Sequence, residues 1–318
     1  MFFESFKITG LAVAQIFIIG AIGYVLVKKN VFGSVGLDSV SRLTIDVTLP
    51  MLIFCQLVER FSFTLLPDWW IFPLLSIGIT LAGLGLGEML SVFIIGDQPK
   101  AQFKSLVAFQ NSGYLPLALI ASLFPGEQGA MMLVCLFLFL AGFNLAMFSL
   151  GPHMLSHARD KKLELRSLFS PPVVAVLLSL AVVFFGGNRF IPEFALKPLR
   201  VIGDCTLPLA MLVVGGSLAQ IRLEGVDARV MFLLVAAKLI ILPAAGLFLI
   251  IALRLPEVIG FLILIQLAMP SATSLTAIIR HYKQQDLLIS QGIFVTHMAS
   301  LVAIPVFLSL YLMFGMIK

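Results

Sequence analysis

Two nine-residue stretches, RLTIDVTLP at Arg42 to Pro50 and RVIGDCTLP at Arg200 to Pro208, carry the same five residues at the same positions. The shared residues are Arg, Asp, Thr, Leu and Pro, and the stretches lie 158 residues apart in a chain of 318. Each begins the second long apolar segment of its half and places an ionisable pair where lipid penalises charge. This repeat predicts two copies of one unit, an arrangement found in many secondary transporters.

The composition is that of an integral membrane protein. Hydrophobic residues make up 60% of the chain, charged residues 12%, and the mean hydropathy is +1.09, whereas soluble domains carry about 25% charged residues. The net charge of +5 resides in short loops, so it indicates topology and not a nucleic-acid partner. The segments long enough to cross a hydrocarbon core of about 30 Å are Ile8 to Val27, Val40 to Val58, Trp69 to Ile95, Phe103 to Phe124, Gly129 to Leu150, Leu168 to Phe185, Leu199 to Ala219, Val230 to Leu253, Val258 to Arg280 and Leu287 to Phe314.

The loop charges predict the orientation. Twelve Lys and Arg residues fall in the loops that include Lys28, Lys29 and residues 152–167, and seven fall in the other loops and at the termini. The positive-inside rule makes the first set cytoplasmic and places both termini outside, in a membrane that we expect to be the plasma (inner) membrane. Because five helices per half is an odd number, residues 168–318 must enter the membrane with the opposite polarity to residues 1–151. The fold class predicted is an all-α membrane protein with a 5+5 inverted repeat, joined by a cytoplasmic linker at residues 152–167.

The fourth and ninth segments are predicted to be broken. Phe109 to Pro116 (FQNSGYLP) and Gln266 to Ser274 (QLAMPSATS) put amides, hydroxyls, glycine and proline at mid-depth, in matching places of the two halves. Proline removes a backbone donor and glycine permits unwinding. Paired interruptions of this kind indicate a substrate site near the bilayer midplane. The structural alternative is two proline-kinked helices whose Ser and Thr side chains satisfy the kink.

In order along the chain, five pieces resemble the auxin efflux carrier superfamily, which comprises plant PIN and PIN-LIKES auxin transporters and bacterial malate and malonate permeases. The pieces are Val47 to Pro50, Asn111 to Gly113, Thr206 to Pro208 with Gly215-Gly216, Lys238 to Pro243, and Met269 to Ala272. The resemblance implies a scaffold of segments one, two, six and seven, a mobile transport part formed by the rest, and a substrate held where segments four and nine cross. A homodimer through the scaffold helices is also expected. The Asn111 to Pro116 spacing is closer to PIN-LIKES than to PIN, so substrate identity is not carried over.

The candidate binding residues follow from the two breaks and from this resemblance. Asn111 can both donate to and accept from a carboxylate, or it can cap the broken helix. The predicted substrate-binding residues are Asn111, Gln110, Ser112, Gly113, Pro116, Gln266, Pro270, Ser271, Thr273 and Leu49. Half-helix N-termini near Pro116 and Pro270 would add partial positive charge.

Residues for gating or coupling are predicted from charges inside the apolar segments: Arg42, Asp46, Arg200, Asp204, Lys238 and His297. The simpler interpretation of each Arg and Asp is a local ion pair at a spacing of four residues, and the alternative is a gate or a proton-responsive latch. Lys238 either attracts an anion, pairs with a carboxylate such as Glu88, or extends to the interface. His297 either couples protons or is a neutral core histidine.

Several other chemistries are disfavoured. His153 and His157 have zinc-compatible spacing but no third ligand beside them, and the three cysteines lie in apolar segments, so we expect no metal and no cofactor. A membrane enzyme would need a catalytic constellation, and Asp46 and Asp204 start at opposite faces. We therefore expect a non-enzymatic secondary transporter of a small organic anion, auxin-like or a mono- or dicarboxylate, working by elevator-type alternating access. The alternatives are a channel and an ion-coupled symporter of the bile-acid/sodium symporter-like fold.

Overall fold

The computed structural model describes residues 2–124, 126–155, 169–281 and 287–314, with the side chains of Arg280 and His281 outside this description. The chain in these ranges is helical. We number the helices α1 (Phe2–Lys28), α2 (Ser34–Arg60), α3 (Ile71–Ser91), α4 (Asp97–Ala108), α5 (Tyr114–Leu123), α6 (Glu127–Leu155), α7 (Pro171–Phe184), α8 (Glu193–Ala219), α9 (Ala228–Leu253), α10 (Glu257–Leu267), α11 (Leu275–His281) and α12 (Leu287–Met313).

Seven of these helices are long and apolar enough to cross a membrane: α1, α2, α3, α6, α8, α9 and α12. The protein is therefore an integral membrane protein. The predicted fourth segment is divided between α4 and α5, and the ninth between α10 and α11. The predicted sixth segment is the 14-residue helix α7, which spans about 21 Å at 1.5 Å per residue. Of the predicted linker at 152–167, residues 156–167 lie outside the described part of the chain.

Wide π turns interrupt α2 and α9. They cover Thr44–Thr48 and Ala237–Ile241, and each is followed by a proline, Pro50 or Pro243. Proline has no N–H and its ring crowds the preceding turn, so a wider turn before it accommodates the helix without a break. Asp46 lies inside the first π turn and Lys238 inside the second.

Glycine allows α1 and α8 to pack closely. A Cβ added at Gly23 would meet the backbone of Leu212, and one added at Gly215 would meet the backbone of Gly20. Small residues at helix contacts are characteristic of membrane proteins, where close van der Waals packing replaces the hydrophobic effect between helices. The same pair of helices meets α12 and α5, so α1 and α8 border the central part of the protein.

The two copies of the repeated phrase contact each other through α2 and α8. The hydroxyl of Thr206 donates to the hydroxyl oxygen of Thr48 at 3.0 Å, and both residues are buried. These two threonines occupy the same position in the two phrases, 158 residues apart. Beside them, Gly203 lies against the backbone of Leu52. Equivalent positions of the two phrases therefore form one buried contact.

Candidate functional site

The two interrupted segments lie directly against each other. Between α4 and α5, residues 109–113 leave the helix, and between α10 and α11 residues 268–274 do so. The backbone N–H of Asn111 donates to the carbonyl of Pro270 at 2.8 Å, and the N–H of Ala272 donates to the carbonyl of Phe109 at 3.0 Å. Gln110 and Ser271 thereby form an antiparallel bridge. Each interruption satisfies backbone groups of the other, which buried backbone requires.

Side chains from α10 and its interruption complete this contact. The hydroxyl of Ser271 donates to the carbonyl of Leu106 near the end of α4 at 2.8 Å. The amide nitrogen of Gln266 donates to the carbonyl of Ser112 at 3.1 Å. Gln266 and Ser271 therefore hold the first interruption in place, and both are fully buried. Neither side chain lines the cavity beside the crossing, so both support the first interruption from behind the cavity wall.

A cavity of about 540 Å³ opens beside the crossing of the two interruptions. The predicted residues on its wall are Gln110, Asn111, Ser112, Gly113, Thr273, Leu49 and Arg42. The predicted residues that do not line it are Pro116, Gln266, Pro270, Ser271, Asp46, Arg200, Asp204, Lys238 and His297. The volume lies within the range of about 300 to 1,000 Å³ that is usual for small-molecule sites.

The cavity also has polar residues that the sequence patterns did not predict. They are Asn144 on α6, Tyr114 at the start of α5, Ser170 before α7, Ser217 on α8, Gln220 just after α8, Thr276 on α11, and Asp38 and Ser41 on α2. Asn144 had a detectable signal, because it is the one amide between Met131 and Ser149 in an otherwise apolar helix. The others lie near helix ends, where polar residues are ordinary and give no signal.

The cavity lies toward one end of the bundle. Its wall is built from the start of α2, the end of α6, the start of α7 and the end of α8, together with the crossing itself. At the other end of the bundle, Arg60 at the end of α2 forms an ion pair with Glu127 at the start of α6. The cavity wall and this ion pair therefore lie toward opposite ends of α2 and α6.

Asn111 is held by His297. The amide nitrogen of Asn111 lies 3.4 Å from His297 Nε2, and His297 Nδ1 lies 2.8 Å from the carbonyl oxygen of Ile293. A carbonyl oxygen only accepts, so Nδ1 carries the proton and Nε2 accepts from Asn111. This is the geometry of a neutral histidine, and it favours the structural interpretation of His297. The carbonyl oxygen of the Asn111 amide remains available on the cavity wall.

Four buried polar atoms at the crossing have no partner among the described residues. They are both side-chain amide atoms of Gln110, the hydroxyl of Ser112 and the amide oxygen of Gln266. Leaving such groups unpaired costs about 1 to 3 kcal/mol each, so native structures pair them with water or ligand. Gln110 and Ser112 both line the cavity, which places unpaired hydrogen-bonding capacity beside Asn111.

The predicted local ion pairs within the repeated phrases do not form. Arg200 instead bonds to Glu59 at 2.6 Å and to Glu193 at 3.1 Å. Among the described residues, Arg42 has no carboxylate within the 4.0 Å of an ion pair, and it lies exposed on the cavity wall. For Arg200 the prediction was wrong because α2 and α8 pack together and bring Glu59 to it; for Arg42 no competing carboxylate among the described residues explains the difference.

Lys238 has a different partner from the carboxylate that the sequence analysis suggested. Its ammonium is buried, 1% exposed, and donates to the carbonyl of Val107 at 2.7 Å. It therefore lies against the end of α4, next to the first interruption, and not apart from it. Glu88, the carboxylate suggested as its partner, bonds to Lys104 at 2.8 Å instead. A cation at the C-terminal end of a helix is favourable because the last carbonyls carry partial negative charge.

The helix termini differ at the two interruptions. α5 begins at Tyr114, with Gly113 before it on the cavity wall, so the first predicted N-terminus is close to Pro116. The second is not at Pro270, because α11 begins only at Leu275.

Of the suggested zinc pair, His153 is in α6 and His157 lies outside the described residues. Within the described ranges, no three His, Cys, Asp or Glu side chains are grouped to hold a metal ion.

Comparison with known proteins identifies the family to which this chain belongs. The sequence model of the membrane transport protein family matches residues 10–161 and 152–308. The chain belongs to this family of membrane transporters, and its relatives confirm the resemblance to the auxin efflux carrier superfamily.

The individual relatives come from archaea and plants. An uncharacterized transporter of Methanocaldococcus jannaschii is 25% identical over 279 residues, which cover 83% of this chain and 86% of that protein. An uncharacterized transporter of Methanothermobacter thermautotrophicus is 27% identical over 314 residues, covering 92% and 95%. Protein PIN-LIKES 7 of Arabidopsis thaliana is 22% identical over 324 residues, covering 77% and 80%.

Proposed function

We propose that this transporter carries a small organic anion, auxin-like or a mono- or dicarboxylate, and binds it in the cavity beside the two interruptions. The observation that carries the proposal is the polar crossing on the cavity wall: Asn111 lines the cavity with its amide nitrogen directed to His297, which leaves its amide oxygen for a ligand, and the unpaired atoms of Gln110 and Ser112 are covered just behind it. A ligand with hydrogen-bonding groups would bond to Asn111 directly, and it would reach the covered atoms of Gln110 and Ser112 only when the wall rearranges. Membership of a transporter family supports transport over catalysis.

The preference for an anion is argued from the charges around the cavity. Arg42 lies on the wall without a carboxylate in ion-pair range among the described residues, and the N-terminus of α5 begins there. Helix N-termini carry partial positive charge, and an arginine can bind a carboxylate through two hydrogen bonds. Asp38 at the mouth carries the opposite sign. Asp38 and Arg42 are both exposed on the first turns of α2, so water screens both charges, and the N-terminus of α5 is the positive group that lies at the crossing.

We further propose the 5+5 inverted repeat as the basis of alternating access. Two observations support it: Thr48 and Thr206, equivalent in the two repeated phrases, bond to each other, and the two interruptions pair as an antiparallel bridge. An antiparallel pair has local two-fold symmetry, as an axis between inverted repeats requires. The outward orientation of both termini, the plasma-membrane location and a homodimer through the scaffold helices stay predictions.

The packing of the helices supports two bodies that move against each other. α1, α2, α7 and α8 contact one another in the pairs α1–α8, α2–α7 and α2–α8, and α3, α4, α6 and α9 pack mainly with the remaining helices; the extensive contact of α1 with α12 crosses between the two groups and is where they would slide. In an elevator mechanism the second group would carry the crossing past the first. The cavity wall contains residues of both groups, so such a movement would open and close it.

A ligand-stabilisation panel tests the proposed substrate class. Purified protein is titrated with aromatic acids, dicarboxylates and, as matched controls, amines of the same carbon skeleton. A ligand that binds only the folded state raises apparent stability by RT ln(1 + [L]/Kd), about 2.7 kcal/mol at a hundredfold excess over Kd. We expect stabilisation by at least one class of acid and none by the amines. Stabilisation by amines alone would contradict the anion assignment.

A further inference from the structure

A second cavity of about 360 Å³ adjoins the polar cavity through neighbouring residues of α5, α8 and α12 but shares no lining residue with it. Its walls come from α1, α5, α8 and α12, and none of the described residues that line it is ionised; the Tyr24 hydroxyl is its main polar feature. Tyr24, Met298 and Leu301 are each 37% exposed, so the cavity is a groove that opens on the protein surface. An organic anion would find no partner in it, whereas a hydrocarbon chain would.

The position of the groove along α1 matches the depth of one lipid leaflet. Its α1 wall runs from Ile16 through Gly20 to Tyr24 on one face of the helix, a rise of about 12 Å at 1.5 Å per residue. Because α1 covers Phe2–Lys28, this wall begins near the middle of the helix and continues toward one end. Half of a hydrocarbon core is about 15 Å thick. The groove therefore extends from the bilayer centre to the headgroup region of a single leaflet.

A basic cluster marks the headgroup end of the groove. Lys28 follows Tyr24 by four residues, on the same helix face, and its ammonium lies 5.6 Å from the centroid of the Tyr24 ring. Lys29 is the next residue, and both lysines are exposed. Lysines at this depth attract anionic lipid headgroups. An apolar groove that ends at two lysines is complementary to a phospholipid, whose acyl chains are apolar and whose headgroup carries a phosphate.

We propose that the groove between α1, α8 and α12 is a binding site for an anionic phospholipid. One acyl chain lies along Ile16, Gly20 and Tyr24, and the phosphate is bound by Lys28 and Lys29. The groove also contacts Leu115, the neighbour of the cavity residue Tyr114. A lipid here would touch α1 and α8 on one side and α5 and α12 on the other. One consequence rests on the proposed function. In the proposed alternating-access movement, the bound lipid would set the rate at which the two bodies move.

Lipid binding can be tested without measuring transport. Detergent-purified protein is titrated with phosphatidylglycerol and with phosphatidylcholine of the same acyl chains, and the thermal midpoint gives an apparent Kd for each. One lysine near an anionic headgroup contributes about a fivefold preference, so the two together give about 25-fold for phosphatidylglycerol. We expect Lys28→Gln/Lys29→Gln to remove this preference and to leave binding of phosphatidylcholine unchanged. Lys7→Gln, at the other end of α1, is the matched control and should retain it.

The apolar part of the site is tested by filling the groove. Ala21 lies on the wall and is exposed, so Ala21→Phe should occupy the path of the acyl chain and weaken binding of both lipids at least tenfold. Ile22→Phe makes a bulky substitution at the next residue, which faces away from the groove, and should bind as wild type. Equal affinity of wild type for the two lipids, or unchanged binding by Ala21→Phe, would overturn the proposal. If Ala21→Phe does not fold, the lysine variants alone decide it.

Discussion

Replacement of Asn111 by alanine tests the binding site at its central residue. Asn111 is 5% exposed, and one of its amide hydrogens is directed to His297 Nε2 at 3.4 Å, which leaves the carbonyl oxygen and the second hydrogen for a ligand. Removing one partner of a buried hydrogen bond costs about 1 to 3 kcal/mol. We therefore expect Asn111→Ala to raise the Kd of the ligand by about 5- to 150-fold.

The same substitution has a separate, smaller cost to folding. Without the amide, His297 Nε2 loses its donor, but the cavity beside it can admit water, so we expect a loss of stability below about 3 kcal/mol. The assay is ligand titration by thermal shift, with the ligand identified from the acid panel. Asn188→Ala is the matched control, because Asn188 donates only to the carbonyl of Val58, at 3.4 Å and far from the cavity. A folded Asn111→Ala protein with Kd within twofold of wild type would refute the assignment.

Three further predictions concern charge, symmetry and gating. Lys238→Gln should lower stability or transport rate but keep anion preference, because Lys238 bonds to backbone outside the cavity; complete loss of binding in a folded variant would make it a direct ligand instead. A double-mutant cycle of Thr48→Val and Thr206→Val in chemical unfolding should show a coupling of about 0.6 kcal/mol, and zero coupling would remove this support for the repeat axis. On the proposed movement, the Arg60–Glu127 pair joins the two bodies in the state that has this cavity, so Arg60→Gln should shift the equilibrium away from that state. Labelling of a cysteine introduced at Ser217 on the cavity wall should then decrease by up to about fivefold, since an exposed pair contributes at most about 1 kcal/mol, and the exchanged pair Arg60→Glu/Glu127→Arg should restore it.

Local patterns predicted the helices and the place of their interruptions. Apolar runs located the seven long helices, and amide, glycine and proline at Phe109 to Pro116 located the first interruption, since these residues change the local backbone preference. The second interruption was placed equally well, although its following helix begins later than expected, at Leu275. These features depend on neighbours in sequence, which a single chain displays directly.

Tertiary partners could not be predicted in the same way. Arg200 bonds to Glu59, 141 residues away, and Lys238 bonds to the Val107 carbonyl, 131 residues away. A backbone carbonyl has no sequence signal, and a carboxylate on another helix can be chosen only when the packing is known. The local ion pair was therefore the wrong choice for Arg200. Asn144 is the opposite case, because a lone amide in an apolar helix is by itself a sign that the helix borders a polar cavity.

Uptake by purified protein in liposomes tests the central claim most directly. Vesicles with and without the protein are given a radiolabelled organic acid that stabilises it, and uptake is followed with internal unlabelled acid, internal amine or buffer alone. We predict saturable uptake that internal acid accelerates, that internal amine leaves unchanged, and that Asn111→Ala weakens. Preference for organic cations, or a non-saturable flux indifferent to internal acid, would contradict a carrier of organic anions.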